Sequence, residues 1–389
     1  MDISVYLKPL DKSRFDVYDD RKTVMGSVVR KFLDAEKFPD INDCQVAIIG
    51  VEEDRGSVYN DGCAKAPDII REKFYQLKKS KHPYQVVDLG NILLGETLKD
   101  TYSALSSIMI ELLKEGILPV ILGGSQDLTY AQYVAYQQME ETVNIVSIDA
   151  KFDLGSTDEA IRANTYLGKI ILHEPNFLFN FSNIGYQTYF VGNEQIELMD
   201  KLFFDAYRLG QVRNDLEEVE PIVRNADILS FDMTAIRQSD APGNGNASPN
   251  GFYGEEACQI VRYAGISDKL TSIGFYEANP LFDNHDQTSH LIGQMMWYFI
   301  DGFYNRKKEM PVSNKSGFVK YRVSLKKSEH EIVFYKSNKS SRWWMEVPYP
   351  NAKVKYHRHH LVPCSYKDSE TACKDEMPER WWQAFQKIS

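Results

Sequence analysis

Short uninterrupted apolar runs alternate with longer stretches in which apolar residues return every three or four positions. The runs QVAIIG (45–50), YQVVDLG (84–90), LPVILGG (118–124), VNIVSID (143–149), TYFVG (188–192), DILSFD (227–232) and TSIGFYE (271–277) predict strands. A strand that stays apolar at consecutive positions has no polar face to show water, so these strands are expected to be covered on both sides. Between them APDIIREKFYQLKK (66–79), YSALSSIMIELLKEG (102–116) and GEEACQIVRYAG (254–265) predict amphipathic helices. Strand and helix in alternation predict an α/β fold, a mostly parallel sheet between two helical layers. Ligands of such sheets bind beyond the carboxyl ends of the strands.

The pattern changes near residue 305. NRKKEMPVSNKSG (305–317) is polar, carries Pro311 and Gly317, and predicts a linker. FVKYRVSL (318–325) and HEIVFYK (330–336) then alternate with period two and predict a hairpin. The expected division is a domain over 1–306 and a small β-containing extension over 307–389. Charge follows the same boundary. The whole chain of 389 residues has a net charge of −10, but the extension holds 17 Lys and Arg against 9 Asp and Glu. It is therefore +8 on a body of −18, which predicts intramolecular docking and opposes nucleic-acid binding. Trp343–Trp344 and Trp381–Trp382 are expected to pack the extension or pin it to the body, and a protein partner on this basic surface is the other use for them. His357-Arg358-His359-His360 with Cys364 and Cys373 fits zinc poorly, because eight residues separate the cysteines; a solvated basic loop is expected.

Apolar content of 43% with 26% charged residues excludes disorder on the scale of the chain. No apolar run reaches the roughly 18 residues of a membrane span, so no membrane insertion is expected. The N-terminus shows no signal-peptide pattern, and five scattered cysteines without a CxxC favour a reducing compartment, so a cytoplasmic protein is predicted.

The chemistry sits at the strand ends. LPVILGG runs into Ser125-Gln126-Asp127, VNIVSI into Asp149-Ala150-Lys151-Phe152-Asp153, and DILSF into Asp232-Met233-Thr234. A loop rich in Gly, Pro and Asn follows at 239–251, and a fourth strand ends in Glu277-Ala278-Asn279-Pro280. The GG at 123–124 matches no phosphate-loop motif. These four clusters, in this order, resemble the arginase, agmatinase and formimidoylglutamase (ureohydrolase) family. Ile49-Gly50-Val51-Glu52-Glu53-Asp54, Ala66-Pro67, Ile70-Arg71, Ile184-Gly185 and the Ser-Pro-x-Gly of 248–251 extend the resemblance over about residues 45–305. It implies a three-layer α/β/α arginase-like fold, two Mn²⁺ ions, hydrolysis of guanidino or formimino groups, and a homo-oligomer. It also implies six metal-ligand positions, of which Asp149, Asp153 and Asp232 are kept. Gln126 and Lys151 stand where the family has His, and Thr234 where it has Asp. Glu277, with Asn279 nearby, stands where the family receives the substrate's cationic end.

The replacements have a physical reading. An ammonium does not ligate a metal, and Lys151 would repel a divalent ion by about 8 kcal/mol at ~4 Å in an effective dielectric of ~20. The second ion site is expected to be lost, and a dinuclear manganese centre is not expected. Gln126, Asp149, Asp153 and Asp232 form an all-oxygen set suited to one Mn²⁺, Mg²⁺ or Ca²⁺. The competing arrangement, which the sequence favours, has no cofactor and salt-bridges Lys151 to the aspartates. Asp127 and Glu277 are candidate bases and Lys151 a candidate nucleophile, although nearby carboxylates raise a lysine's pKa and oppose Schiff-base chemistry. The leading expectation is a degenerate family member that serves as a scaffold, regulatory or ligand-binding component. The alternative is a hydrolase of linear amidine C–N bonds that uses a single divalent metal.

Overall fold

The computed structural model of the protein describes residues 2–19, 21–156, 158–311, 316–326, 331–348 and 360–388. Ten strands form the main sheet: β1 (Leu7–Lys8), β2 (Val29–Lys31), β3 (Val46–Val51), β4 (Val86–Ile92), β5 (Leu118–Gly123), β6 (Val143–Ile148), β7 (Leu178–Tyr186), β8 (Asp205–Arg208), β9 (Ile228–Asp232) and β10 (Ser272–Tyr276). Their order is β1-β4-β3-β5-β10-β9-β6-β7-β8, with β2 also against β4. Every pairing is parallel except β1 with β4. All residues of β3, β4, β5, β6, β9 and β10 are buried, as expected of strands covered on both faces. Two apolar cores flank the sheet. One packs the helices Ala66–Gln76, Gly254–Gly265 and Gln287–Tyr304; the other packs Leu98–Lys114 and Leu128–Gln138.

One strand expectation is corrected. The stretch 188–192 begins with a 3-10 turn, Thr188–Phe190, and the strand lies upstream at Leu178–Tyr186. That strand, LFNFSNIGY, is broken by Asn180, Ser182 and Asn183 and so lacks the apolar continuity of its neighbours. The buried polar groups find partners instead: Asn180 Nδ2 and Ser182 Oγ both donate to Asp205 Oδ2, at 2.8 and 2.9 Å.

The extension builds a separate antiparallel sheet, β11 (Phe318–Ser324), β12 (Glu331–Ser337), β13 (Trp343–Glu346) and β14 (Leu361–Cys364), closed by helices Tyr366–Cys373 and Glu379–Ile388. Trp381 is fully buried and donates from Nε1 to the Glu346 carbonyl at 3.0 Å. Docking on the body centres on Arg224, at the end of helix Val219–Arg224. Its guanidinium lies 4.3 Å from the Trp344 ring centroid and donates to the carbonyls of Trp343 (3.0 Å) and Cys364 (3.1 Å). Glu220 bridges Arg224 and Arg342 at 2.9 and 3.1 Å, and Arg380 pairs with Glu218 at 2.8 Å. Basic extension and acidic body are thus joined by specific ion pairs. Residues 349–359, which include His357-Arg358-His359, lie outside the described residues. His360 is paired with Glu346 at 3.1 Å, and Cys364 and Cys373 are free thiols. Among the described residues no helix is long and apolar enough to cross a membrane.

Candidate metal centre

The four adjacent central strands β5, β10, β9 and β6 each deliver a polar residue at the carboxyl edge: Gln126, Glu277, Asp232 and Asp149. Asp153 joins them from the loop after β6, with a left-handed backbone (φ 51°); Glu277 is left-handed too (φ 68°). Such backbone costs of order 1–3 kcal/mol at a non-glycine residue and gathers where side chains must be aimed. Close passage of β5's exit over the 52–54 segment requires Gly124, since a Cβ there would lie 2.0 Å from the Glu53 carbonyl oxygen.

Asp149, Asp153 and Asp232 each offer an oxygen within 4.8 Å of the others', the one such group among the described residues. All three carboxylates are buried and lie on a cavity of about 150 Å³ with Lys151, Thr234 and Glu277. Asp149 Oδ1 accepts from the Lys151 amide at 2.9 Å, and Asp232 Oδ1 accepts from the Thr234 amide at 2.6 Å. Asp149 Oδ2 and Gln126 Oε1, in contrast, are buried with no hydrogen-bond partner. Three carboxylates, one of them with an orphaned oxygen, and the orphaned Gln126 amide oxygen have the donor chemistry of a hard cation's ligand set. The residues fit one ion.

The electrostatics agree. Burial pushes Asp149 above the usual carboxylate range; burial and then the Asp149 charge push Asp153 well above it. Asp232 is raised likewise by burial, Asp149 and Glu277. Without a cation, this cluster holds protons that an ion would displace.

Lys151 is not the expected counter-charge. Its ammonium sits 5.6 Å from the Phe190 ring centroid and makes no ion pair among the described residues. The four-carbon stem lets the charge leave the carboxylates for an aromatic face while still favouring their ionisation through space. Thr234 adjoins the cluster, its hydroxyl 3.5 Å from Asp149 Oδ1.

Glu277 faces the cavity but is heavily engaged. Oε1 accepts from the Gln126 amide at 2.8 Å and Oε2 from Asn60 Nδ2 at 2.7 Å, while burial lifts its pKa to about 7. Three residues expected in the site are not on the cavity wall: Gln126, Asn279 and Asp127. Asn279 Nδ2 is spent on Asn60 and Asp61, bracing the 57–62 loop. Asp127 is buried, accepts from the Tyr102 hydroxyl and is raised by burial to a pKa of about 6. Sequence reasoning missed Tyr59 and Asn246, which complete the cavity from loops, and Asn60, which holds Glu277 from behind it. Their only signal was turn-forming composition.

A mostly parallel sheet with polar residues at the carboxyl edge of its central strands is the arrangement expected from the ureohydrolase resemblance. The sequence model of the arginase family matches residues 44–301, and the chain belongs to the arginase family. Among curated relatives it is similar to the formimidoylglutamase of Staphylococcus haemolyticus, 24% identical over 311 residues that cover 74% of this chain and 96% of that one. It is also similar to that of Staphylococcus aureus MRSA252, 26% identical over 274 residues, 66% of this chain and 85% of the other. Solved structures with the same fold include Trypanosoma cruzi formiminoglutamase with Mn²⁺ (TM-score 0.64, 21% identity, 69% of this chain and 100% of that one). Bacillus subtilis formimidoylglutamase is another (TM-score 0.65, 21% identity, 73% and 93%).

Proposed function

We propose that this arginase-family protein binds a single divalent cation through Gln126, Asp149, Asp153 and Asp232, does not carry out two-metal amidine hydrolysis, and works as a ligand-binding or regulatory component. The observation that carries the reading is the pair Lys151 and Thr234 on the cavity wall, at positions where the resemblance implies a His and an Asp ligand for a second ion. Two-metal hydrolysis relies on a nucleophile held between both ions, and one ion lowers the pKa of water less than two. A single ion would supply charge neutralisation to the aspartates and a Lewis-acid centre to a small ligand in the cavity. A protein partner for the extension's basic face, and a homo-oligomer of the kind the family resemblance implies, belong to the same reading.

The test is elemental analysis after incubation with excess Mn²⁺, paired with assays on N-formimino-L-glutamate and agmatine. One ion per chain and no turnover are expected, and a chain that takes up no ion overturns the cation site. Two ions, or sustained turnover, overturn the reading.

A second reading, a one-metal hydrolase of linear amidines, is favoured by Glu277, whose carboxylate faces the cavity where a cationic amidine would lie. It requires turnover that Asp149→Asn abolishes.

A further inference from the structure

A second concavity is linked to the acidic cavity by the Thr188–Phe190 turn: Thr188 and Tyr189 line it, while Phe190 carries the ammonium of Lys151, a residue of the acidic cavity's wall. This groove is about 950 Å³. Arg208, Arg213 and Arg237 line it, and no Asp or Glu does. That is unexpected in a body of net charge −18.

The cationic groups are pre-positioned. Arg213 and Arg237 both stack on Tyr253, their guanidinium carbons 4.1 and 3.9 Å from its ring centroid. Each is fixed through Nε, Arg213 on Glu256 (3.1 Å) and Arg237 on Asp240 (2.8 Å). Such fastening holds a planar fork in place before any ligand arrives, so little side-chain entropy is lost on binding. Arg208 is exposed and makes no ion pair among the described residues, which leaves its charge uncompensated. Neutral polar groups complete the wall in a ready-made network. The Tyr189 hydroxyl donates to Gln187 Oε1, Asn250 Nδ2 donates to the Tyr189 oxygen at 3.3 Å, and Gln187 Nε2 donates to the Asn250 carbonyl at 3.1 Å.

We propose that this groove is a binding site for a small polyanion, a metabolite bearing phosphate or several carboxylates, distinct from the acidic cavity. Guanidinium forks match both anions bidentately, and Arg213 and Arg237, held through Nε, keep their terminal Nη pair for that pairing. The proposal does not rest on the metal reading, because no groove residue belongs to the carboxylate cluster. Through the linking turn, an occupant of the groove would also bear on the aromatic platform under Lys151.

Calorimetry on the full chain, metal-free, with pyrophosphate in one arm and tricarballylate in the other, tests it. Saturable binding of at least one probe is expected, weakened about tenfold or more by Arg208→Ser and by Arg237→Lys, and unchanged by Asp149→Asn. Because Arg208 is exposed and unpaired, Arg208→Ser should fold, and circular dichroism checks this. Binding of pyrophosphate alone assigns a phosphate ligand, and of tricarballylate alone a polycarboxylate. No saturable binding of either probe, or binding that Arg208→Glu leaves intact, overturns the site.

Discussion

At the scale of single residues, the candidate site turns on which atoms lack partners. Gln126 Oε1 and Asp149 Oδ2 are buried acceptors without donors, and Lys151 turns to Phe190 instead of the carboxylates. If the frame has kept the family geometry, Gln126→His, Lys151→His and Thr234→Asp together should raise Mn²⁺ stoichiometry from one to two per chain, read by elemental analysis. A titrating residue far from the site gives a second expectation. His173, hydrogen-bonded to the Tyr130 hydroxyl at 3.0 Å, is held by burial below the usual histidine pKa of 6.5. The unfolded chain therefore binds this proton more readily than the folded one, and the contribution is full above about pH 6.5 and lost as pH falls below it. Thermal melts of His173→Gln against the parent should show a shallower loss of Tm between about pH 7 and 5.5. The candidate ligands were legible from sequence because a buried strand that ends in Asp or Gln announces itself. The direction of Lys151 was not, since a long flexible stem leaves its charge to whichever neighbour tertiary structure supplies.

At the scale of elements, legibility followed apolar continuity. Strands β3, β5, β6, β9 and β10 were readable because both faces are buried, whereas β7 hides its burial behind Asn180, Ser182 and Asn183. The stretch 188–192 is apolar for a different reason: Tyr189, 64% exposed, lines the groove, and Phe190, 41% exposed, supports Lys151. Hydrophobicity there marks a surface with work to do. Helix Val219–Arg224 was not predicted either, being a short element whose stability comes from what it touches. Its Arg224 is buried against Trp344 and two extension carbonyls, so Arg224→Met should cost about 3 kcal/mol by leaving Glu220 and those carbonyls short of a partner. Urea melts measure the loss, and limited proteolysis should then cut first within the extension.

At the scale of the whole molecule, body and extension have separate sheets but one electrostatic joint. Four of the five tryptophans, Trp343, Trp344, Trp381 and Trp382, lie in the extension, while most of the helix lies in the body. Tryptophan fluorescence and far-ultraviolet circular dichroism therefore report on different parts. Their denaturation midpoints should coincide in the parent and separate in Arg224→Met. The joint also imposes an order of events during synthesis. Arg224 finds its last acceptor 140 residues downstream, at Cys364. At bacterial or eukaryotic elongation rates that is roughly ten seconds or more, during which the nascent body carries a guanidinium held by Glu220 alone, without its two extension carbonyls. A ribosome that stalls before β14 would thus release a body with that face uncovered, and quality control could recognise the unfinished chain by it.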